Sequence, residues 1–494
     1  MIKIGNNQFI FTKTEPADIE FDIKLKLGDY NIFLGSGCRT VHAFTDDREL
    51  LILGYITDAV TGELSESELA KKLLTDLRTD CENIVECFSG AGGRFVCFTL
   101  IEGKLFVWND TCGLKQLFYD TASSGGTICA ASQARYIARL KGYEPDAAAV
   151  EYLTEAKKQP EFSMPLSASI YKNVSRLLPN HFLADDGQPQ RRMKAYNINC
   201  SGISENRRVE LIADMLKNGS RSASKIFKPS VSLTGGLDSR LALTAFSGIK
   251  QSLDVFTLKY VDMPGDHYDL VIPKQFCERF GYNHRVIECR EPSAEYAAKY
   301  RAHSEHPHEY WIQMSEAVDK ESNNSTVVVK GSCNEIVQYS NGVLPDADVT
   351  SEIICRLFEI PQTEFSLEII GSWLGSAADA AKEHNIPLLS LFYWEHRMGS
   401  WFSACLNEGD VSSEVFSPFN VRKLLALMAS FPLKTRIPPH FELFVRLMEE
   451  CEKGSSEIEI NPGRYSKATS KLKLFIKYKM PFLYKIAIMM SGRM

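Results

Sequence analysis

Cysteine pairs at metal-binding spacing are absent from the sequence. Its 494 residues include 13 cysteines, an odd number scattered along the chain without any CxxC pair. This pattern argues against both a structural zinc site and a disulfide framework. It fits the reducing cytoplasm, where we expect the protein to be located.

The sequence also lacks long apolar runs and an excess of basic residues. No stretch has the length of a transmembrane helix, and the first residues, MIKIGNN, do not resemble a signal peptide. The formal net charge of −6 gives no reason to expect nucleic acid as a partner. With 44% hydrophobic residues, the chain can form two or three globular domains.

Residues 1–200 consist mostly of short β-prone runs separated by Gly, Asp and Ser. Helical patterns interrupt them at Ser65–Leu77 and Ala147–Lys157. We expect an α+β sandwich of antiparallel sheets with packed helices. The predicted strands are Asn31–Leu34, Leu50–Tyr55, Gly93–Leu100, Lys104–Asn109, Leu117–Tyr119 and Thr127–Ala131.

From residue 201 onward, predicted helices and strands alternate. This order predicts an α/β domain with a parallel sheet, whose ligands bind at the carboxyl ends of the strands. The region 388–440 is rich in aromatics and is predicted to be helical. The predicted strands are Ser230–Leu233, Leu253–Leu258, Asn283–Ile287 and Ser325–Lys330.

The first of these strands runs into a glycine turn followed by a helical pattern. Strand, Gly235-Gly236 turn and helix together direct backbone N–H groups and a helix N-terminus at an anion. Asp238 either caps the helix or holds a hydrated Mg²⁺. An ordinary turn with an Asp cap is the alternative. Three hydroxyl donors are nearby, on Ser232, Thr234 and Ser239.

The segment SLTGGLDS resembles the SGGxDS pyrophosphate loop of ATP pyrophosphatases, which release AMP and pyrophosphate. It differs from the Walker loop, because no Gly-Lys-Ser/Thr follows at the required spacing. The resemblance implies ATP binding by this loop. The residues that match are Ser232, Thr234, Gly235, Gly236, Leu237, Asp238 and Ser239.

Further segments resemble asparagine synthetases. GRFV at 93–96, VWND at 107–110, GLKQLFY at 113–119 and ASQ at 131–133 follow the order of class II glutamine amidotransferase domains. The segment 170–181 resembles the link to the synthetase half. The resemblance implies a glutaminase-like Ntn-type domain at 1–200, an ATP-pyrophosphatase domain at 201–470 and a separate tail at 471–494.

One departure from that family concerns its nucleophile. The family's glutaminase uses a cysteine at the mature N-terminus, with its α-amino group as base. Here Met1 is followed by Ile2, and the first cysteine is Cys38. We therefore expect the N-terminal domain to be a scaffold without glutaminase activity.

Two further strand ends supply candidate ligands. Leu258 lies where the family's adenine-contacting strand is expected, and Asp266 and Asp269 follow as either ligand contacts or helix-start acids. The third segment, KGSCNEI at 330–336, resembles SGxGxDE but is one residue shorter. It keeps Gly331 and Glu335, and it has Asn334 where an Mg²⁺-binding Asp is expected. The resemblance implies that Asp238 and Glu335 hold Mg²⁺.

Later segments give weaker matches. EVFSPFN at 414–420 resembles ExRxPFLD, with Phe416 in place of an arginine and Asn420 in place of an aspartate. These changes predict an acceptor carboxylate other than aspartate. Lys467, or else Arg464, lies near the family's catalytic lysine, where a cation would stabilise departing pyrophosphate. A solvated surface cation is the alternative.

The tail, 471–494, carries six basic residues, no acid and interleaved apolar residues. It is predicted either to contact an anionic membrane surface or a partner protein, or to pack on its own domain.

These features predict an AMP-forming, amide-forming ligase that uses ATP and Mg²⁺. Its substrate would be a small-molecule or peptide carboxylate, and its nitrogen would come from ammonia or a substrate amine, as the resemblance to β-lactam synthetases and lasso-peptide cyclases implies. Asp238, Glu335 and Lys467 are the expected catalytic residues. The alternatives are a non-catalytic binding or regulatory protein and, on weaker grounds, sulfur transfer.

Overall fold

The computed structural model describes residues 2–122, 127–186, 190–193, 200, 202–323, 325–339, 341–460 and 468–491. The strands are β1 Ile2–Lys3, β2 Phe9–Thr12, β3 Ile19–Glu20, β4 Ile23–Leu27, β5 Tyr30–Leu34, β6 Thr40–Phe44, β7 Arg48–Asp58, β8 Ala91–Ile101, β9 Lys104–Asn109, β10 Phe118–Asp120, β11 Ala130–Ala131, β12 Val174–Arg176, β13 His181–Ala184, β14 Arg191–Arg192, β15 Lys228–Ser232, β16 Asp254–Lys259, β17 His284–Glu288, β18 Thr326–Val329 and β19 Glu414–Phe416.

The helices include a π-helical segment, Tyr393–Phe402, between α13 and α14. The α-helices are α1 Glu66–Asp76, α2 Ile84–Phe88, α3 Ala134–Lys141, α4 Ala147–Ala156, α5 Glu205–Ile226, α6 Leu237–Thr244, α7 Tyr268–Phe280, α8 Ala294–His303, α9 Ile312–Asp319, α10 Glu335–Gln338, α11 Ser351–Phe358, α12 Glu364–His384, α13 Leu388–Phe392, α14 Ser403–Gly409, α15 Arg422–Ala429, α16 Leu433–Arg436, α17 Glu442–Cys451, α18 Ala468–Lys479 and α19 Pro481–Ser491. Within the described ranges, no helix is both long and apolar enough to cross a membrane.

The N-terminal half is a sandwich of two antiparallel six-stranded sheets, as predicted. Their orders are β12-β10-β11-β2-β5-β4 and β14-β13-β9-β8-β7-β6. Alternate residues of β7 face opposite sides. Leu51 and Leu53 pack between the sheets, whereas Leu50 and Ile52 pack under α1 and α2. Because alternate side chains face opposite sides, the sandwich has one core between its sheets and a further core on the outer face of each sheet.

The C-terminal half contains the predicted parallel sheet. Its order is β17-β16-β15-β18-β19, and every neighbouring pair is parallel. The prediction that 388–440 is helical is wrong at Glu414–Phe416, where β19 pairs with β18. The buried Val415 and Phe416 complete the sheet edge, and Phe416 packs edge-on against Phe246.

Buried polar contacts join the two halves. The Arg94 guanidinium of β8 binds the Asp410 and Glu414 carboxylates, and its Nε donates to the Leu114 carbonyl at 3.0 Å. The Asn420 amide donates to the Gly93 carbonyl at 2.7 Å. In addition, α4 packs against α12 in a helical core of the second half. The sandwich therefore forms a fixed support for the parallel sheet.

Candidate active site

The candidate site lies where the order of the parallel sheet reverses. The chain passes from β15 to β16 and β17 on one side, and then returns to β18 on the other side of β15. Connections that leave two neighbouring strands in opposite directions open a crevice at their carboxyl ends, where ligands of such sheets bind. The loops 233–236 and 330–334 border this crevice. It therefore brings together the first and third of the predicted segments.

The N–H groups of the first loop already bind oxygen atoms. Thr234 N donates to Ser239 Oγ at 3.1 Å, and Gly236 N donates to Thr234 Oγ1 at 3.2 Å. Gly235 N donates to the Asp269 carboxylate at 2.7 Å. Asp269, which the sequence left open between ligand contact and helix-start acid, thus places an anionic oxygen on the loop. The loop has the geometry to bind anions at its main chain.

Close packing explains two of the predicted glycines. A Cβ on Gly331 would lie 2.3 Å from both the carbonyl carbon and the oxygen of Asp238, so the third segment touches the main chain of α6. A Cβ on Gly235 would lie 2.8 Å from the Tyr268 ring and 3.1 Å from the Tyr268 carbonyl. Glycine is required at both positions because backbone approaches backbone there.

Arg240 forms hydrogen bonds to the main-chain carbonyls of the first loop. The sequence did not predict it as a site residue. This fully buried side chain donates to the carbonyls of Gly236 and Gly235, each at 3.2 Å. It also donates to the carbonyls of Ile458 at 3.1 Å and Glu459 at 3.0 Å. Its place on the buried face of α6, among apolar residues, was the available signal. Arg240 fixes the loop to the segment that precedes residues 461–467.

Asp238 lies close enough to Glu335 for the charge of one carboxylate to act on the other. Asn334 Nδ2 and Gln338 Nε2 donate to Asp238 Oδ1 at 2.8 and 2.7 Å. Glu335 Oε2 is buried without a hydrogen-bond partner. Burial first, and then the nearby Asp238 charge, raise the pKa of Glu335 to about 8. Glu335 is therefore mostly protonated at neutral pH when no cation is bound.

These groups fit a magnesium ion. Mg²⁺ prefers carboxylate and carbonyl oxygens and keeps several ligands from water or phosphate. Glu335 Oε2 and the side-chain oxygen of Asn334 are both buried and have no hydrogen-bond partner, and both lie next to the Asp238 carboxylate. Asp238 and Glu335 would hold the ion, and Asn334 supplies a neutral oxygen where the resemblance implies a carboxylate.

The remaining predicted residues are distributed as follows. Ser232 ends β15 next to the loop, and Leu258 lies near the end of β16, opposite Ile287. The Leu237 side chain packs in the core, so only its main chain is available to a ligand. Arg464 and Lys467 lie outside the described residues.

Phe416 and Asn420, from which the sequence predicts an acceptor carboxylate other than aspartate, are both engaged within the protein, and that prediction stays untested. Phe416 is buried in the sheet core. Asn420 Nδ2 donates to Asp110 at 2.9 Å, and its Oδ1 accepts from Cys112 N at 2.9 Å. Both changes therefore concern packing and the contact between the two halves, because neither side chain faces the crevice loops.

Two cationic side chains flank the crevice and were not predicted as site residues. The positive charge of Arg397 partly opposes the rise in the pKa of Glu335, and the guanidinium carbon of Arg397 lies 3.4 Å from the centre of the Trp401 ring. Lys330, the residue after β18, lies 5.3 Å from the Trp311 ring centre, and burial lowers its pKa. Tyr393 is close enough to Glu335 that burial and this carboxylate raise the tyrosine pKa well above its ordinary value. Arg397 also forms an ion pair with Glu161 at 2.6 Å.

Cys38, the first cysteine of the chain, lies close to the buried charges that join the two halves. Cys38 is buried, and desolvation raises its pKa to about 11. The nearby N-terminal residues contact the second half. Asn7 Nδ2 donates to Glu414 at 2.9 Å, and Gln8 Nε2 donates to the His303 carbonyl at 2.9 Å. This edge of the sandwich is therefore an interface between the halves.

No protein-family model and no curated protein matches the chain. Two solved structures are similar to it, each at 12% identity over 73% of this chain and 74% of the other, with a TM-score of 0.23. One is glutamine phosphoribosylpyrophosphate amidotransferase from B. subtilis, complexed with ADP and GMP. The other is described as the allosteric regulatory enzyme of purine biosynthesis. At this TM-score the likeness does not establish a shared fold.

Proposed function

We propose that the protein is an ATP-dependent, amide-forming ligase that activates a substrate carboxylate. A carboxylate oxygen bonds to the α-phosphorus of ATP as the bond to pyrophosphate breaks. A nitrogen nucleophile then attacks the acyl carbon, and AMP leaves with the electron pair of the broken acyl–oxygen bond. The nitrogen loses a proton, and the products are an amide, AMP and pyrophosphate.

One observation carries this proposal. At the reversal point of the parallel sheet, a glycine loop that binds an anionic oxygen lies next to Asp238 and Glu335. Ligases of this kind need both parts, because a triphosphate and its metal ion must be held together. Either part alone would be weaker support.

Different residues of the chain would have different roles in this reaction. Loop N–H groups and the hydroxyls of Ser232, Thr234 and Ser239 would stabilise the negative charge that develops on departing pyrophosphate. Asp238 and Glu335 would hold Mg²⁺, which screens phosphate charge when bound. Lys330 and Arg397 would attract the substrate carboxylate to the crevice.

We propose ammonia or a substrate amine as the nitrogen source. The buried Cys38, with a pKa of about 11, supports this because a protonated thiol is a poor nucleophile. The polar side chains of Asn7 and Gln8 are engaged with the second half, which suits a supporting domain.

Nucleotide product analysis tests the proposal. The full chain is incubated with Mg²⁺–ATP and a panel of carboxylates, with ammonium, glutamine or no added donor. We expect AMP and pyrophosphate with one class of acid, under ammonium or with an amine-bearing acid but not under glutamine. ADP and phosphate would contradict the mechanism.

Asp238→Asn is the matching variant. We expect turnover to fall by about a thousandfold or more, because the metal-binding charge is lost. Asp254→Asn is the control, since Asp254 begins β16 and therefore lies at the amino ends of the strands, away from the crevice at their carboxyl ends. Full activity of Asp238→Asn would remove the proposed metal role.

A non-catalytic binding protein is the second candidate. Asn334 in place of an acid, together with the two amide donors on Asp238, favours it, because amides weaken the pull of a carboxylate on a cation. ATP binding without turnover across the whole panel would support this candidate.

A further inference from the structure

We propose that a cavity behind α10 binds a small organic monocarboxylate through Arg422. The cavity has a volume of about 170 Å³. It lies between α10, the end of α12, the start of α13 and α15. Ile336 and Val337 form the wall from α10, and Arg422 and Leu425 form the wall from α15.

Arg422 lacks the partners that a buried charge requires. The side chain is 7% exposed, and it forms no hydrogen bond or ion pair with any residue in the described part of the chain. Its guanidinium lies 5.0 Å from the centre of the Trp394 ring, which lines the same cavity. Burial lowers its pKa to about 10. The Glu395 carboxylate favours the charged form of Arg422, but Glu395 forms its ion pair with Arg192, so Arg422 has no ion pair of its own within the described part of the chain.

A second arginine on the cavity wall shows the contrast. Arg436 is 5% exposed, and it donates to the Phe431 carbonyl at 3.0 Å and to the Val337 carbonyl at 2.8 Å. Its guanidinium lies 5.0 Å from the Tyr339 ring centre. Arg436 is thus held by protein groups and adds positive charge to the cavity, whereas Arg422 is left to bind a ligand.

The shape and lining of the cavity define the ligand. A carboxylate matches the planar fork of a guanidinium, which binds it through two parallel hydrogen bonds. Apolar side chains, Ile336, Ile386, Leu425 and Ala426 among them, form somewhat more than half of the remaining lining, and His384, Asn385, Ser390 and Ser430 contribute polar groups. A cavity of similar volume holds a benzene ring. The ligand would therefore be about the size of benzoate or hexanoate, with an apolar body.

The cavity is distinct from the crevice but shares one helix with it. Ile336 and Val337 of α10 face the cavity, whereas Gln338 of the same helix donates to Asp238. A bound carboxylate would therefore contact the helix that carries Glu335. This site does not depend on the proposed ligase activity.

Calorimetric titration with benzoate, benzyl alcohol and inorganic phosphate tests the site. We expect wild-type protein to bind benzoate about tenfold or more tightly than benzyl alcohol, which has a similar shape without the charge. Preference for phosphate over benzoate would overturn the assignment. So would equal binding of benzoate and benzyl alcohol.

Arg422→Met provides the second arm. It should lose benzoate binding by about tenfold or more, and it should melt at a higher temperature than wild type without ligand, because an unpaired buried charge is removed. Arg446→Met, at a solvent-exposed ion pair with Glu205, is the control. Unchanged benzoate affinity in Arg422→Met would contradict the proposal, as would a lower melting temperature without ligand.

The C-terminal hairpin of α18 and α19 supports an independent proposal. We infer that it lies on an anionic lipid surface. One face anchors it to the domain: Tyr484 and Ile488 are buried in a core shared with α11, and Tyr484 OH donates to the Asn341 carbonyl at 2.6 Å. Lys485 forms an ion pair with Asp348 at 2.6 Å. The hairpin is therefore held in a defined orientation.

The opposite face of α19 is apolar and exposed. Phe482 is 72% exposed and Met490 is 82% exposed. Leu483, Ile486 and Met489 are also exposed, and the spacing 482, 486, 489, 490 places these residues on one side of a helix. On α18, Leu472 and Phe475 are exposed as well. Such a continuous apolar surface marks an interaction site.

The positive charge of the hairpin indicates that its partner is anionic. Residues 468–491 contain no aspartate or glutamate. Three lysines of α18, Lys471, Lys473 and Lys479, are exposed, whereas Lys485 is engaged with Asp348. Exposed apolar side chains together with exposed lysines suit the headgroup boundary of an anionic bilayer.

Vesicle sedimentation tests this inference. We expect the protein to bind vesicles that contain phosphatidylglycerol and not pure phosphatidylcholine. The double variant Phe482→Glu, Met490→Glu should lose binding. Val261→Glu, which changes an equally exposed apolar residue elsewhere, should retain it. Equal sedimentation of the double variant would overturn the inference, as would self-association of wild type that the double variant abolishes without any vesicle binding.

Discussion

Two glutamates of the C-terminal half, Glu335 and Glu414, are each close to another carboxylate, but their pKa values are shifted in opposite directions. Burial raises the pKa of Glu414, and contact with Arg94 at 2.7 Å more than reverses this, so its pKa lies below the ordinary value. Glu335 forms no ion pair with a described residue, and burial together with Asp238 raises its pKa to about 8. The difference is the presence of a guanidinium from the other half of the chain.

This comparison separates a structural site from a functional one. The fold supplies a permanent cation for Glu414, and the result is a rigid contact between the halves. At Glu335 the lowering effect of the Arg397 charge does not outweigh burial and the Asp238 charge, so the pKa of the carboxyl group stays raised. The proposed Mg²⁺ would supply the cation that Arg94 supplies to Glu414. Perturbed carboxyl groups of the second kind concentrate at functional sites.

Removing Arg94 should have the largest effect. Arg94→Met leaves buried Asp410 and Glu414 without their guanidinium, so the free energy of unfolding should fall by about 3–5 kcal/mol. Urea denaturation measures this change. Arg446→Met, at an exposed ion pair, should leave it nearly unchanged. A small loss in Arg94→Met would mean that this contact does not join the halves.

Replacing Glu335 by Gln should change how the free energy of unfolding depends on pH. Glu335 has a folded pKa of about 8, above the ordinary 4.5, so the folded state binds more protons between these values. Wild-type stability should therefore fall as pH rises through that window, at up to about 1.4 kcal/mol per pH unit, and less where water reaches the side chain.

Glu335→Gln removes this slope, and melting curves across the window compare it with wild type. The variant should gain stability relative to wild type as pH rises. Parallel curves for the two proteins would show that Glu335 is not the titrating group.

Binding of Mg²⁺ should depend on the same proton. Below pH 8 the ion must displace a proton from Glu335, so its affinity should rise by up to about tenfold per pH unit and level off above pH 8. Calorimetry with Mg²⁺ in buffers of different ionisation enthalpy measures both affinity and proton release. Affinity that is independent of pH would place the ion elsewhere.

Asn334→Asp should have the smallest effect. It adds a third carboxylate and removes an amide donor to Asp238, so Mg²⁺ affinity should rise several-fold, by roughly 1 kcal/mol, and stability without metal should fall. Titration and melting curves follow the two changes. Weaker Mg²⁺ binding would mean that the neutral Asn334 oxygen suits the ion better.

Regular patterns made most of the fold predictable from the sequence. Lys104–Asn109 has its predicted limits, and the four predicted strands of the parallel sheet lie within two residues of those observed. The three-residue β19 was missed because its pattern is too short to stand out, and its pairing with β18 depends on the tertiary fold. Strands β1–β4, β6 and β12–β14 were also missed, and all of them except β4 and β6 have four residues or fewer.

The candidate site was predictable only in its local parts. The loop at 234–239 and Glu335 are visible as motifs, and the sheet brings them together. Arg240, Tyr393 and Arg397 act across the fold, so no sequence spacing indicates their partners. The bonds of Asn420 to Gly93 and Asp110 could not be predicted either, because they depend on contact between the two halves.

The carboxylate of Asp269 on Gly235 has a consequence for affinity. This oxygen already accepts a hydrogen bond from the loop amide at 2.7 Å, so under the proposed function a phosphate that binds at this amide would replace one anion by another. The free energy gained there would be the difference between the two interactions. Binding of the proposed nucleotide would then depend on how readily the start of α7 withdraws.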